Sequence, residues 1–179
     1  IPTGLTLIVI ISIFGPISGA HFNPIVSLVF WLKRMMSFKD FIAYVVMQIS
    51  GAIFGCIVAN IIFKLPPVTI STLVRHDFSQ FLSEILATFG LILVIFIGSE
   101  VSKQNIPVLV GSYIASAYWF TSSTSFANPA VTVARQFSDT FTGISPSGVP
   151  TFIIAQIFGA ILGFIVIQFL TNTVIESDY

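Results

Sequence analysis

Two short stretches decide how this chain is read: Ser18-Gly19-Ala20-His21-Phe22-Asn23-Pro24-Ile25 and, with its Asn 105 positions further on, Phe126-Ala127-Asn128-Pro129-Ala130. Each sits in a region, 18–30 and 121–137, too polar for a helix facing lipid. An Asn-Pro pair breaks a helix or starts one, because Asn caps the first turn and Pro fits inside it. The spacing predicts short helices over 24–34 and 129–137. Each is roughly ten residues, or about 15 Å. Irregular backbone at membrane depth survives only where protein buries it or where it lines a wet cavity.

The surroundings of these stretches are those of a membrane protein. The chain has 179 residues, of which 55% are hydrophobic and 8% charged. Its mean hydropathy is +1.01. A soluble domain carries about 25% charged residues. Seven basic residues balance seven acidic ones, which leaves no polybasic surface for nucleic acid. Cys56 is the lone cysteine, and no Cys/His cluster has metal-ligand spacing, so neither a disulfide scaffold nor a metal site is implied. Charge-free runs at 41–63, 104–134 and 140–175 are each long enough for the roughly 20 apolar residues of a spanning helix. Five spans are predicted at about 1–17, 41–63, 79–98, 107–122 and 149–170. Lys33, Arg34, Lys39 and Lys103 then fall on one side and Lys64, Arg75 and Arg135 on the other. The positive-inside rule puts the first group, and with it the C-terminus, in the cytoplasm.

The chain also repeats itself. Asn23-Pro24-Ile25-Val26 matches Asn128-Pro129-Ala130-Val131. Gln48-Ile49-Ser50-Gly51-Ala52-Ile53-Phe54-Gly55 matches Gln156-Ile157-Phe158-Gly159-Ala160-Ile161-Leu162-Gly163, in the same order. The unit is span, span, Asn-Pro stretch, span. Three crossings invert the second copy, and inverted repeats place their working site near the midplane. The expected organisation is one domain over 1–179: a partial first repeat at 1–64, a connecting loop at 65–77, a second repeat at 78–172 and a tail at 173–179. The first copy lacks a counterpart to the span that holds Glu84, so one helix is expected ahead of Ile1. The Gly51/Gly55 and Gly159/Gly163 pairs are expected to pack helices within a subunit.

Two half-helices entering from opposite faces, about 15 Å each, add up to the roughly 30 Å hydrocarbon core and meet tip to tip. Each N-terminus carries about half a positive charge. Together with the amides of Asn23 and Asn128, these ends repel cations and hold a water as double acceptor, which interrupts proton hopping. Capping of a loop helix in a membrane enzyme is the competing reading, and the doubling of the motif weighs against it. No nucleophile–base pair or phosphate-binding loop points to catalysis. An ion-coupled secondary transporter built from inverted repeats is the alternative function. It lacks a charged pair suited to coupling, since Glu84 and Glu100 are the only acids at span level or edge.

The two boxes, and the chain from Thr3-Gly4-Leu5 through Gly159-Ala160-Ile161-Leu162-Gly163, resemble the aquaporin, or major intrinsic protein, family. The resemblance implies an all-α transmembrane fold: an aquaporin-like right-handed helical bundle with an inverted repeat and two re-entrant half-helices. It implies six spans, a pore in each subunit of a homotetramer among membrane lipids, small neutral solutes and no cofactor. Glu84-Ile85-Leu86-Ala87-Thr88-Phe89 is similar to the family's fourth span, where a buried Glu accepts hydrogen bonds from the re-entrant loop. That bracing role is favoured over proton relay for Glu84. His21 is expected either to line the pore or to fix its loop.

There are departures from the family pattern. Ile25 replaces the Ala of the first box and should crowd it slightly without removing Asn23. Val131 stands where most members carry the Arg of the outer selectivity filter. By alignment with the family the filter positions are Thr3, Ser116, Ser125 and Val131, none aromatic and none charged. Such a filter is wide, and suits glycerol-like polyols or metalloid hydroxides such as arsenous acid. Bacterial members with Val at this place resemble the Asn128–Arg135 run and Asp139-Thr140-Phe141, and are linked with arsenic resistance. Arg135, one turn past Val131, is either a displaced filter Arg or, the reading preferred here, a loop brace paired with Asp139.

Overall fold

The computed structural model describes residues 1–177, with side chains described as far as 170. Among these are seven α-helices: α1 (Pro2–Ser18), α2 (Pro24–Leu32), α3 (Phe38–Ile62), α4 (Phe78–Ser102), α5 (Ile106–Phe120), α6 (Pro129–Arg135) and α7 (Val149–Ser177). One 3₁₀ turn, Lys103–Asn105, joins α4 to α5. The described residues contain no strand. α3, α7 and the stretch 78–120 that holds α4 and α5 are long and apolar enough to cross a bilayer, and α1 is a shorter apolar helix. The protein is thus a multi-pass helical membrane protein. Its five long helices lie within a few residues of the five predicted spans. Of the tail expected at 173–179, residues 173–177 continue α7, and the last two lie outside the described residues.

The two short helices are shorter than predicted, nine and seven residues against roughly ten. Together they cover about 24 Å at 1.5 Å per residue. Local hydrogen bonding sets both ends. After α2, Arg34 turns into the left-handed region (φ 59°) and Met35 N–H reaches back to Phe30 O. After α6 the connecting loop captures the carbonyls that another helical turn needs. Ser71 N–H donates to Gln136 O and Thr69 N–H to Phe137 O. Buried Asn60, near the end of α3, donates to Pro67 O and Phe137 O and accepts from Ser138 Oγ. The 65–77 segment is therefore a seam that fastens α3 to the outer end of α6.

Packing places both short helices inside the bundle. Ile25, Val26 and Val29 of α2 join Ile92 and Phe96 of α4 and Ala160 and Ile167 of α7 in one buried cluster. Ile25, the unusual residue of the first box, is 2% exposed and faces this core, so its extra bulk fills the interior. α4 and α7 approach closely because Gly159 has no side chain. A Cβ there would strike Ile85 O, and one at Gly163 would sit 2.9 Å from Ile92 Cγ2. Gly4 and Gly111 bring α1 and α5 together in the same way, each facing the other's carbonyl. The expectation for Gly51 and Gly55 differs from the structure: neither has an atom within 4 Å of an added Cβ, so this pair packs no helix of the described chain.

The same substitution at two of these glycines should act in opposite directions. Gly159→Ala forces α4 from α7 and is expected to cost about 1–3 kcal/mol, seen as a lower unfolding temperature in detergent. Gly55→Ala meets open space and should be neutral or stabilising by up to about 1 kcal/mol.

Candidate functional site

The N-termini of α2 and α6 meet inside the bundle, and the contact is made by the two asparagines. Asn23 and Asn128 both sit in extended backbone, and each is followed by Pro in the first helical turn. Asn23 Oδ1 accepts from Ile25 N–H at 3.0 Å. Asn128 Oδ1 accepts from Ala130 N–H at 2.9 Å and Val131 N–H at 3.3 Å. With the oxygens committed to capping, the amide nitrogens point outward and cross. Asn23 Nδ2 donates to Ala127 O at 2.8 Å and Asn128 Nδ2 donates to Phe22 O at 2.9 Å. Each side chain thus bonds the carbonyl just before the other Asn. The backbone repeats too: Ala20 and Phe22 have positive φ (48° and 49°), as do Ser125 and Ala127 (47° and 45°), 105 positions later. Non-glycine residues in this region cost about 1–3 kcal/mol each and persist only when neighbours fix them.

The neighbours are specific. Glu84 of α4 is fully buried and receives four hydrogen bonds. Oε1 accepts from Ser123 Oγ (2.6 Å) and Phe126 N–H (2.8 Å), and Oε2 from Ala127 N–H (2.8 Å) and Gln156 Nε2 (2.7 Å). Gln156 of α7 also donates to Thr132 Oγ1, which donates to Asn128 O. One carboxylate therefore ties α4, the second loop, α7 and α6 together. The first loop is held differently. His21 Nδ1 lies 3.0 Å from Ser27 Oγ, Gln48 Nε2 donates to the same hydroxyl, and Tyr44 Oη donates to Ser18 O. The His21 ring packs between Phe30 and Tyr44.

The four expected filter residues are in diverse surroundings. Thr3 is exposed on α1. Ser116 on α5 is exposed and donates to Ser112 O. Ser125 is 2% exposed, and its Oγ has no partner. Val131 packs against Phe126, Ile144 and Phe152. Tyr118, which the sequence did not single out, links two of the elements involved. Its hydroxyl meets Thr3 of α1 and accepts from Arg135 Nη2 of α6 at 3.1 Å.

The pairing of Arg135 with Asp139 is corrected by the structure. Asp139 accepts from Thr72 N–H and Oγ1 in the connecting loop. Arg135 turns the other way, its guanidinium carbon 4.3 Å from the Phe126 ring centroid. The reason is the early end of α6. Ser138 and Asp139 belong to the seam with 60–72, whereas Arg135 retains a helical side-chain direction that points back toward the helix start.

Sequence reasoning also missed Arg75, counted only as a loop charge. It is 7% exposed and spends its guanidinium on three carbonyls: Nε to Gly143 O (2.8 Å), Nη1 to Ser123 O (3.2 Å) and Nη2 to Phe141 O (2.9 Å). Burial, and after it the charge of Arg135, push Arg75 below its ordinary pKa, while Glu84 pulls it up. Backbone carbonyls have no sequence signature, so no motif marks such a residue.

Fold and site together define a membrane protein whose two inverted half-helices meet, cross-bonded, within one bundle. A family model described as major intrinsic protein matches residues 1–125. The aquaglyceroporin AqpS of Rhizobium meliloti is 49% identical over 170 residues, covering 95% of this chain and 73% of its own length. The glycerol uptake facilitator protein of Bacillus subtilis is 27% identical over 150 residues, 75% of this chain and 55% of its own. Aquaporin AqpM of Methanothermobacter marburgensis is 25% identical over 183 residues, 94% and 74%. The chain belongs to the major intrinsic protein family.

Glu84→Gln tests the brace. The amide presents one acceptor oxygen to four donors, two of them backbone N–H groups of a strained loop. Losing two charge-assisted bonds is expected to cost about 3 kcal/mol or more. Unfolding in detergent should show the loss, and solute flux should fall with it. An unchanged unfolding temperature would remove Glu84 from this role.

Proposed function

We propose that the chain is a passive transmembrane channel, not an enzyme, for water and small uncharged solutes: glycerol-like polyols and, through its wide outer filter, metalloid hydroxides such as arsenous acid. The crossed asparagines carry this reading. Each amide nitrogen has two N–H groups, and each gives one of them to the opposite loop. The second on each is left for an oxygen passing between the tips. An oxygen that accepts from both turns its own hydrogens away along the path and breaks the proton wire there, while the positive ends of α2 and α6 oppose cations. The names of the relatives, an aquaglyceroporin and a glycerol uptake facilitator, support the polyol class.

Pro24, Ile25, Pro129 and Ala130 set the geometry of the boxes, and Thr3, Ser116, Ser125 and Val131 form the outer filter. Glu84 and His21 brace the two loops. The repeats run over 1–64 and 78–172, joined by 65–77, with the C-terminal tail in the cytoplasm. The working assembly is a homotetramer in the cell membrane. Outward apolar residues of α3 such as Met47 and Phe54, 71% and 69% exposed, support contacts with lipid or neighbouring subunits.

Proteoliposomes tested by stopped-flow light scattering with water, glycerol and arsenous acid decide the function. Non-saturating flux of all three, independent of proton or sodium gradients, is expected. Saturable uptake that needs such a gradient would favour the ion-coupled transporter instead. In the same assay Val131→Arg should reduce glycerol and arsenous acid flux by about tenfold or more, with water less affected. Large-solute flux untouched by that substitution would remove Val131 from the filter.

A further inference from the structure

The connecting loop 65–77 is exposed along most of its length, and within it only Ser71 and Arg75 are buried. Both turn inward onto the segment 138–148. Their seating depends on two glycines: a Cβ at Gly143 would strike Ser71 Oγ, and one at Gly148 would strike Arg75 O. Between these contacts Ser145 N–H donates to Leu73 O at 2.7 Å. The loop thus lies as a strap over the outer end of α6. Backbone bonds and small residues suffice to hold a strap in place, whereas a buried cation is costly and exceeds that need.

The cation reaches two segments that share no other polar link. Arg75 Nε and Nη2 donate to Gly143 O and Phe141 O on 138–148, and Nη1 donates to Ser123 O on 121–127. Among the described residues no hydrogen bond runs directly from 121–127 to 138–148. Glu84 makes no such bridge, since its donors lie on 121–127 and α7. Each bridged segment leads to a different filter position. Ser123 Oγ accepts from Ser125 N–H at 3.1 Å, which ties position 125 to the residue whose carbonyl Arg75 holds. Gly143 precedes Ile144, whose N–H reaches Arg135 O at the end of α6. The Ile144 side chain is fully buried in the apolar cluster against which Val131 packs. Apolar contacts alone let two segments slide, while three bonds from one rigid planar group set both distance and angle.

We propose that Arg75 is a positioning residue of the outer filter: its fork fixes the separation of the segments that carry Ser125 and back Val131, and so sets the largest uncharged solute the channel admits. It acts through the backbone and not by touching solute. This rests on the channel reading and the filter assigned above.

The test uses full-length protein in proteoliposomes, with stopped-flow fluxes of glycerol and of the longer polyol erythritol. The ratio of the two fluxes does not depend on how much protein is inserted, so a loss of folded channel alone leaves it unchanged. Arg75→Met, which fills the space without a donor, is expected to raise the erythritol-to-glycerol ratio about threefold or more. Arg75→Lys keeps the charge but not the planar fork, and should raise it about twofold. Thr72→Val removes a hydroxyl from the same strap, leaves the fork intact and should keep the wild-type ratio. A wild-type ratio in Arg75→Met would overturn the proposal. If that variant does not fold, a wild-type ratio in Arg75→Lys overturns it equally. A ratio raised as far in Thr72→Val as in Arg75→Lys also overturns it, because the effect then belongs to the whole strap. Wild-type protein that passes neither water nor glycerol strikes at the channel reading itself, a result distinct from these.

Discussion

The structure depends on a reciprocal pair of hydrogen bonds, Asn23 Nδ2 to Ala127 O and Asn128 Nδ2 to Phe22 O. The interior of a bilayer offers no water to an unpaired amide, so non-helical backbone there must find its partners within the protein. Each asparagine meets that demand twice. Its oxygen caps its own helix, and its nitrogen closes the opposite loop. Neither half-helix is fully satisfied without the other. Gln fits poorly because of its extra methylene, and Asp cannot donate.

The two loops share a backbone shape but not a means of support. The second is fixed from one side by Glu84 and from the other by Arg75, which donates to Ser123 O while Glu84 accepts from Ser123 Oγ. The first relies on a hydroxyl and aromatic cluster around His21, Ser27 and Tyr44. An inverted repeat requires similar conformations at its tips, and different side-chain chemistry can enforce them. The sequence match therefore survives at Asn-Pro and in the small-residue helix faces, and fades in the loops between.

What the sequence revealed and what it hid divide along the same line. Span positions follow from hydropathy, and the half-helix starts follow from Asn23-Pro24 and Asn128-Pro129, because both signals are local. The end of α6 comes earlier than its local sequence suggests, since the carbonyls of Gln136 and Phe137 are taken by Ser71 and Thr69, some 65 residues away in the chain. A carboxylate in an apolar span announces Glu84 as special. Arg75 carries no such flag, because a charge in a loop reads as solvated until the loop is seen folded inward. The expected Arg135–Asp139 pair does not form for a related reason: the two residues are close in the chain, but Thr72 holds the carboxylate while the guanidinium lies on Phe126 and Tyr118.

Phe126 draws these strands together. Its N–H binds Glu84 and its ring lies against both guanidiniums, Arg135 at 4.3 Å and Arg75 at 5.4 Å. It also meets Phe152 of α7 edge-on at 5.1 Å. A cation over an aromatic face contributes about 0.5–2 kcal/mol, more where water is excluded. The two cations repel each other, and a ring that both touch lets them share one region without a bridging carboxylate. An acid placed there would pair with Arg135 and consume the donor that remains open. The ring and the Tyr118 hydroxyl together fix the place of the Arg135 guanidinium.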